Sequence, residues 1–299
     1  INFFIKSVSK LNFRPKYIAD VGCGGIYLLN KLRERGFTVK GIDPSPVTKK
    51  IAKKYNIEII QDFYPSIKID EKFDILSHYD VLEHISDPEF FLTSHKKNLN
   101  RNGAIIFAVP DCTSFIKLGD ASMMLHEHIN YFNEDSLKNL VINAGFNVVE
   151  IKRANYGGVL YCFCINEESN LKSLKIKSEK NIFVDFREKF EKNKIIFSNI
   201  LKKHSYKEIG LYIPLRAYPY IHLIPKNINI RLFNDDPSWH RKYLDGFKNP
   251  IENISDLLAY PPDLLLICSL SFGKEISQKI PKNVLPKSKI ILWSDIFKE

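Results

Sequence analysis

The stretch that most constrains this 299-residue chain runs from Tyr17 to Asp43. A short apolar run, Tyr17–Val21, ends in Asp20-Val21-Gly22-Cys23-Gly24-Gly25. Leu28, Leu29, Leu32 and Phe37 then follow helical spacing, with Gly36 as a stop signal, and a second apolar run, Thr38–Ile42, ends at Asp43-Pro44-Ser45-Pro46. Strand, glycine turn, helix and strand in that order make a parallel unit with a right-handed crossover. Glycines at such a turn let a ligand approach the backbone, and the following helix start presents free N–H groups. A carboxylate at the end of the second strand can accept hydrogen bonds from both hydroxyls of a ribose. The pairing of the turn with Asp43 therefore points to an adenosine-type ligand, with a tight connection plus a surface Asp as the bland alternative. A nicotinamide dinucleotide fits less well, because Tyr27 stands where a third glycine of Gly-x-Gly-x-x-Gly belongs.

The same alternation continues. Ser45 is placed to cap a helix whose first turn holds Pro46. Ile57–Ile60, Phe73–Ser77 and Ala104–Val109 read as strands, with helical segments around Ile51 and over Phe90–Leu99. Asn133–Ala144 reads as a helix closed by Gly145, and Phe146–Lys152 and Gly158–Ile165 as a final pair of strands. Apolar strands separated by helices predict a largely parallel sheet covered on both faces, with ligands at the carboxyl ends of its strands.

On these residues the chain resembles the class I S-adenosylmethionine-dependent methyltransferases. The similarity lies in Asp20-Val21-Gly22-Cys23-Gly24, in Gly41-Ile42-Asp43-Pro44-Ser45, and in Phe73-Asp74-Ile75 running into Asp80-Val81-Leu82-Glu83-His84-Ile85. The resemblance spans about residues 1–165. It implies a Rossmann-like seven-stranded sheet with an antiparallel last strand, and S-adenosylmethionine as cofactor. It also implies that Asp20, Gly22, Cys23 and Gly24 surround the methionine moiety, that Asp43 and Pro44 meet the ribose, and that Asp62 and Phe63 sit by the adenine. Tyr79 and Asp80 would flank the sulfonium. One position departs from the pattern: Ile26 stands where another glycine is usual, so the loop is expected either to bind more weakly or to take another shape.

An oxygen nucleophile must lose its proton to accept a methyl group. His126, Glu127 and His128 follow the fifth strand, in a loop expected to overhang the carboxyl edge. His128 is the expected base and Glu127 its orienting partner, with His84 as a further catalytic candidate. A metal is not expected, because His126, Glu127 and His128 lack a third well-placed ligand. The string Glu127-His128-x-x-Tyr131-Phe132 resembles a segment of methyltransferases acting on nucleotide-linked sugars, where a Glu-His pair is implicated in base chemistry. Asp111 is a secondary pocket candidate, and for His78 a structural place is expected.

Between Asn166 and His204 the chain turns polar and Lys-rich, with apolar residues from Phe186 to Leu201 at helical spacing. Ile209–Ile213, Asn229–Phe233, Leu264–Cys268 and Lys289–Trp293 then read as strands of a second, smaller α/β unit. The expected domains are residues 1–166 for the methyltransferase part, 167–205 for a helical linker and 206–299 for a C-terminal Rossmann-like unit. The patterns Asp235-Asp236-Pro237, Gly246-Phe247 and Pro262–Ile267 resemble the C-terminal domain of sugar C-methyltransferases. Pro214–Pro219 replaces that family's glycine-containing loop, which argues against a second nucleotide cofactor. Arg216 and Tyr218 either meet a substrate's diphosphate or cover the sheet edge. The C-methylating enzymes also carry a Cys-rich zinc module, which these residues lack, and this tilts the expectation from carbon toward oxygen.

Lys and Arg number 44 against 34 Asp and Glu, a net charge of +10, which favours anionic partners. The basic residues are scattered, without the runs or aromatic-basic repeats of nucleic-acid binders. The five cysteines have no metal spacing and are expected reduced. No apolar run is long enough to span a bilayer, and a cytoplasmic location is expected. The expected function is O-methylation of a hydroxyl on a nucleotide-linked sugar in carbohydrate biosynthesis, with homo-oligomerisation left open. The alternatives are a nucleotide-sugar C-methyltransferase, a quinone-type O-methyltransferase, and a nucleoside- or nucleic-acid-binding protein without turnover.

Overall fold

The computed structural model describes residues 1–124, 127–155, 157–167, 180–202, 206–281, 283–284 and 289–297. Two units emerge, Ile1–Cys112 with His126–Lys177, and Thr113–Leu125 with Ser178–Glu299. The sequence predicts three successive segments, residues 1–166, 167–205 and 206–299. In the structure the short segment after the fifth strand packs with the second unit. The helix of the expected linker, Lys180–Lys202, belongs to that unit as well. The remainder of the linker, residues 168–179 and 203–205, lies outside the described residues, as does His126.

The first unit is built on seven strands: β1 (Tyr17–Val21), β2 (Thr38–Ile42), β3 (Glu58–Ile60), β4 (Phe73–Tyr79), β5 (Leu99–Pro110), β6 (Asn147–Arg153) and β7 (Val159–Ile165). They lie in the order β3-β2-β1-β4-β5-β7-β6. β7 runs antiparallel to both neighbours, and the other pairs are parallel. This is the seven-stranded sheet that the family resemblance implies. Apolar side chains cover both faces, as expected for strands without a solvated side. One face carries Ile18, Ile75, Ile106 and Phe163 beneath Phe4 of the Asn2–Val8 helix. The other carries Val21, Leu76, Phe107 and Cys162 beneath Phe91 and Leu137. Cys162 and Cys164 share that second face, and all five cysteines are buried and outside any disulfide. The caps follow the sequence: the Ser45 side chain accepts from Val47 N at 3.2 Å, and Pro46 opens the Pro46–Lys54 helix.

The second unit holds five parallel strands, β8 (Glu208–Tyr212), β9 (Asn229–Phe233), β10 (Ile251–Glu252), β11 (Leu264–Ile267) and β12 (Ile290–Leu292), in the order β10-β9-β8-β11-β12. The two-residue β10 is too short to leave a period in the sequence. The unit's interior centres on Asp120, which accepts hydrogen bonds from Tyr220 Oη at 3.0 Å, Ser122 Oγ at 2.7 Å and Trp293 Nε1 at 3.2 Å. After β8 the chain winds into a 3₁₀ segment, Pro214–Leu223. There the Arg216 guanidinium donates to Ser122 O at 3.2 Å and Tyr218 Oη to Asp245 O at 2.7 Å, so both side chains are engaged inside the unit. Among the described residues, no helix is long and apolar enough to cross a membrane.

Candidate active site

Residues that follow β1, β2, β3, β4 and β5 gather at the carboxyl edge of the seven-stranded sheet. The glycine turn comes first. Gly22 has φ +68°, and a Cβ placed on it would lie 2.5 Å from Val81 Cγ2. No other residue type satisfies both constraints. A Cβ on Gly24 or Gly25 would meet nothing closer than 4.0 Å, so the loop turns an open backbone face outward. Asp43 holds this loop in shape: its Oδ2 accepts from Gly24 N at 2.9 Å and its Oδ1 from Ser45 N at 2.8 Å.

Ile26 does not obstruct the turn. Its backbone takes the left-handed conformation a glycine would, with φ 58°, and its side chain is buried among Cys23, Leu29, Ala52 and Ile57. The substitution thus changes the underside of the loop, where a β-branched residue at positive φ is compensated by apolar burial. The Cys23 side chain also points down, toward Gly41, and burial pushes its thiol up. Only the backbone of Cys23 is available to a ligand.

Asp20 lies beneath the turn, buried, accepting from Ser77 Oγ at 2.6 Å. Burial lifts its carboxyl to about 7 against the pull of the Ser77 hydroxyl, and the negative charge of Asp43 adds to the rise. The Asp43 charge reaches Asp20, and a cation bound beside the two would relieve that repulsion. Tyr79 and Asp80 stand at the end of β4, where Asp80 also has a positive φ of 54°. Burial and the Asp20 charge raise the Tyr79 hydroxyl, so it remains a hydrogen-bond donor. Pro44 follows Asp43. Asp62 and Phe63 lie after β3, both exposed, with Asp62 Oδ1 accepting from Phe63 N at 2.7 Å. Buried acids, an open glycine loop and an exposed ring beyond β3 fit S-adenosylmethionine, the cofactor of this fold class.

A second cluster stands where β4 and β5 hand over to their loops. Glu83, His84 and His128 bring one ligand atom each within 4.8 Å of one another. Ile129 N and Asn130 N donate to Glu83 O at 2.9 and 3.0 Å, which ties the later loop to the 3₁₀ turn Leu82–His84. His84 Nδ1 faces Glu127 O at 2.8 Å. A carbonyl can only accept, so Nδ1 carries the hydrogen and Nε2 of the neutral ring presents its lone pair. That Nε2 lies 3.8 Å from Glu83 Oε1, and the His84 and His128 ring centroids are 5.0 Å apart. Glu83 is buried, its Oε2 has no hydrogen-bond partner among the described residues, and burial raises its carboxyl to about 7.

This arrangement revises the expected division of labour. Glu127 contributes its carbonyl, and its side chain is exposed. Glu83 supplies the buried carboxylate beside the imidazoles. Glu83 lies within the Asp80–Ile85 motif with no role expected of it; the usable signal is its place beside His84, in the turn after β4. It also completes a three-donor set, which the reading along residues 126–128 could not find. Asp111 is engaged by Arg153 Nε. His78 is buried between Phe91 and Phe107, on the opposite face from Tyr79.

The sheet order and the glycine turn define a class I methyltransferase fold. Residues 3–151 match the protein family described as a methyltransferase domain, so the first unit carries such a domain. Among curated proteins, the mitochondrial ubiquinone biosynthesis O-methyltransferase of Schizosaccharomyces pombe is 29% identical over 126 residues, covering 39% of this chain and 45% of its own. The ubiquinone biosynthesis O-methyltransferase of Pasteurella multocida is 32% identical over 110 residues, covering 31% and 46%. That of Actinobacillus pleuropneumoniae is 27% identical over 175 residues, covering 51% and 75%. The chain thus spans a little under half the length of the first two. A solved S-adenosylmethionine-dependent methyltransferase from Clostridium acetobutylicum is 12% identical, covers 55% of this chain and 89% of its own, and superposes with a TM-score of 0.47.

Proposed function

We propose that the chain is an S-adenosylmethionine-dependent O-methyltransferase of small molecules, and that its acceptor is a sugar carried on a nucleotide. The observation that carries the reading is the pair of clusters at one sheet edge, the open glycine turn braced by Asp43 and the Glu83–His84–His128 group. Asp43 would hold the ribose, Gly22 and Gly24 with Asp20 the amino-acid tail, and Asp62 and Phe63 the adenine. Bound there, the cofactor supplies an electrophilic methyl group. His128 takes the proton of the acceptor hydroxyl, and the buried Glu83 carboxylate stabilises the imidazolium that results. His84, its Nδ1 committed to the Glu127 carbonyl, holds the rim of the cluster in place.

The second α/β unit supports the sugar reading, since a quinol acceptor gives it no evident task. The names of the curated relatives favour a second reading, a quinone-type hydroxyl as acceptor. A panel of nucleotide-sugars and catechols offered with labelled methyl donor, read by mass spectrometry, separates the two. Label on a sugar oxygen upholds the proposal, label on catechols alone gives the second reading, and no transfer overturns both. His128→Ala is expected to lower turnover by roughly 10²–10⁴-fold. Its affinity for S-adenosylhomocysteine by calorimetry should stay within about threefold, under 1 kcal/mol.

A further inference from the structure

One cavity of the first unit has no part in the site described so far. It measures about 350 Å³ and is lined by Phe3 and Lys6 of the Asn2–Val8 helix, by Lys152, Arg153 and Ala154 at the end of β6, and by Tyr161 of β7. Strand pairing connects it to the cofactor end. Tyr79 pairs with Ala108, Ala108 with Tyr161, and Tyr161 with Lys152, so four strands carry these residues in one row. Residues paired directly across strands share a face of the sheet. The row thus runs from the end of β4, where the Tyr79 hydroxyl feels the charge of Asp20, to the cavity wall.

The cavity combines a flat apolar surface with surplus positive charge. Phe3 and Tyr161 stack with ring centroids 5.0 Å apart and planes inclined by 24°. Lys6, Lys152 and Arg153 line the cavity with them, and Lys10 lies outside it, beside Glu150. The opposing charges are Glu150, 2.6 Å from Lys10 and 3.8 Å from Lys6, and Asp111, paired with Arg153. The Glu150 carboxyl is held low, chiefly by its hydrogen bond from Lys10, with the charges of Lys6 and Lys152 adding to the pull. Glu134 acts on Arg153 from a greater distance. Of the cations that line the cavity, Lys152 makes no ion pair among the described residues, which leaves positive charge unmatched at its wall. An apolar wall beside uncompensated cations recognises a planar ring that carries an anion.

We infer that this cavity receives the anionic end of the methyl acceptor, a phosphate or carboxylate in a molecule that also carries a planar ring, with the ring against Phe3 and Tyr161 and the anion on Lys152 and Arg153. Lys6 contributes from the rim. The inference rests on the O-methyltransferase reading and sharpens its substrate class, since a neutral quinol leaves these cations unused.

Calorimetry on the full chain tests it with uridine 5′-diphosphate, 4-hydroxybenzoate and neutral uridine as probes, and with S-adenosylhomocysteine as the control. Uridine 5′-diphosphate or 4-hydroxybenzoate should bind at least about tenfold tighter than uridine, or 1.4 kcal/mol. That preference should weaken with added salt. Lys152→Glu and the double variant Lys6→Glu/Lys152→Glu, both at exposed positions, should remove it and leave S-adenosylhomocysteine affinity unchanged. Preference for the diphosphate or for the benzoate upholds the cavity and names its anion. Equal binding of uridine and both anions, no binding of either anion, or unchanged anion affinity in the double variant overturns it. Loss of S-adenosylhomocysteine binding in the wild type, with anion binding intact, overturns the methyltransferase reading and leaves the cavity standing.

Discussion

Glu83→Gln should make the protein more stable and less active, and the gain in stability should depend on pH. Glu83 is buried at 1% exposure and its carboxyl rises from the ordinary 4.5 to about 7, chiefly by burial, with the nearby Asp80 charge adding to the rise. An acid whose folded value lies above its unfolded value destabilises the fold as pH rises. Below 4.5 both states hold the proton, and the residue has no effect. Between 4.5 and 7 the unfolded chain releases the proton and the folded chain keeps it, so stability falls across this window. Above 7 the full penalty is present, about 3 kcal/mol at ~1.4 kcal/mol per pH unit. A glutamine imitates the neutral carboxyl. The variant should therefore match the wild type near pH 4.5 and exceed it by about 3 kcal/mol at pH 8, a rise in Tm on the order of 6–12 °C. Asp20 imposes a fall of the same sign from 3.8 to about 7 in both proteins, so it cancels in the difference. Urea unfolding should be followed by circular dichroism, because Trp239 and Trp293 both lie in the second unit and report on that unit. Equal stability of variant and wild type at pH 8 would refute the claim that Glu83 is a buried, uncompensated acid held for function.

Three further outcomes follow from the same geometry. Ile26→Gly should destabilise the first unit by about 2 kcal/mol, since the buried side chain it removes outweighs roughly 1 kcal/mol of relieved backbone strain. S-adenosylhomocysteine affinity should be unchanged by calorimetry, and tighter binding in the variant would mean the side chain had blocked the cleft. Asp43→Ala removes the acceptor of the Gly24 and Ser45 amides. It should cost about 1–3 kcal/mol in chemical denaturation and weaken S-adenosylhomocysteine at least about tenfold; intact affinity would remove Asp43 from the ribose site. Dialysis against EDTA should leave turnover unchanged if Glu83, His84 and His128 act as an acid–base group. Loss of turnover restored by a divalent cation would reassign them as metal ligands.

Much of the first unit is legible in the chain because its determinants are local. The apolar runs at Tyr17–Val21 and Thr38–Ile42, the Ser45 and Pro46 helix start, and the glycine turn each work within a few residues of backbone. The resemblance carried by those residues implies a seven-stranded sheet with an antiparallel last strand, and the structure has it. The proposed catalytic cluster is legible only in part. His84 and His128 stand out as rare residues at strand ends, but the sequence neighbour of His128 is Glu127, and adjacency along a loop says nothing about which way a side chain points. Glu83 reaches the imidazoles because Ile129 N and Asn130 N fasten the later loop to its carbonyl. That contact joins residues more than forty positions apart and leaves no period or motif. Ile26 shows the converse, a departure from pattern whose consequence depends on the pocket of Cys23, Leu29, Ala52 and Ile57 beneath it.

By itself the sequence determined the alternation of strands and helices, the glycine turn and its acidic partner, and the existence of a second α/β unit. Short-range sterics, capping and apolar periodicity act along the chain and can be read along it. Only the tertiary structure decided which carboxylate stands beside the histidines, that Ile26 turns under its loop, and that Phe3, Lys6, Lys152, Arg153 and Tyr161 enclose one cavity. Those outcomes depend on burial and on strand register, which are set by residues far apart in sequence and exist only once the chain has closed on itself.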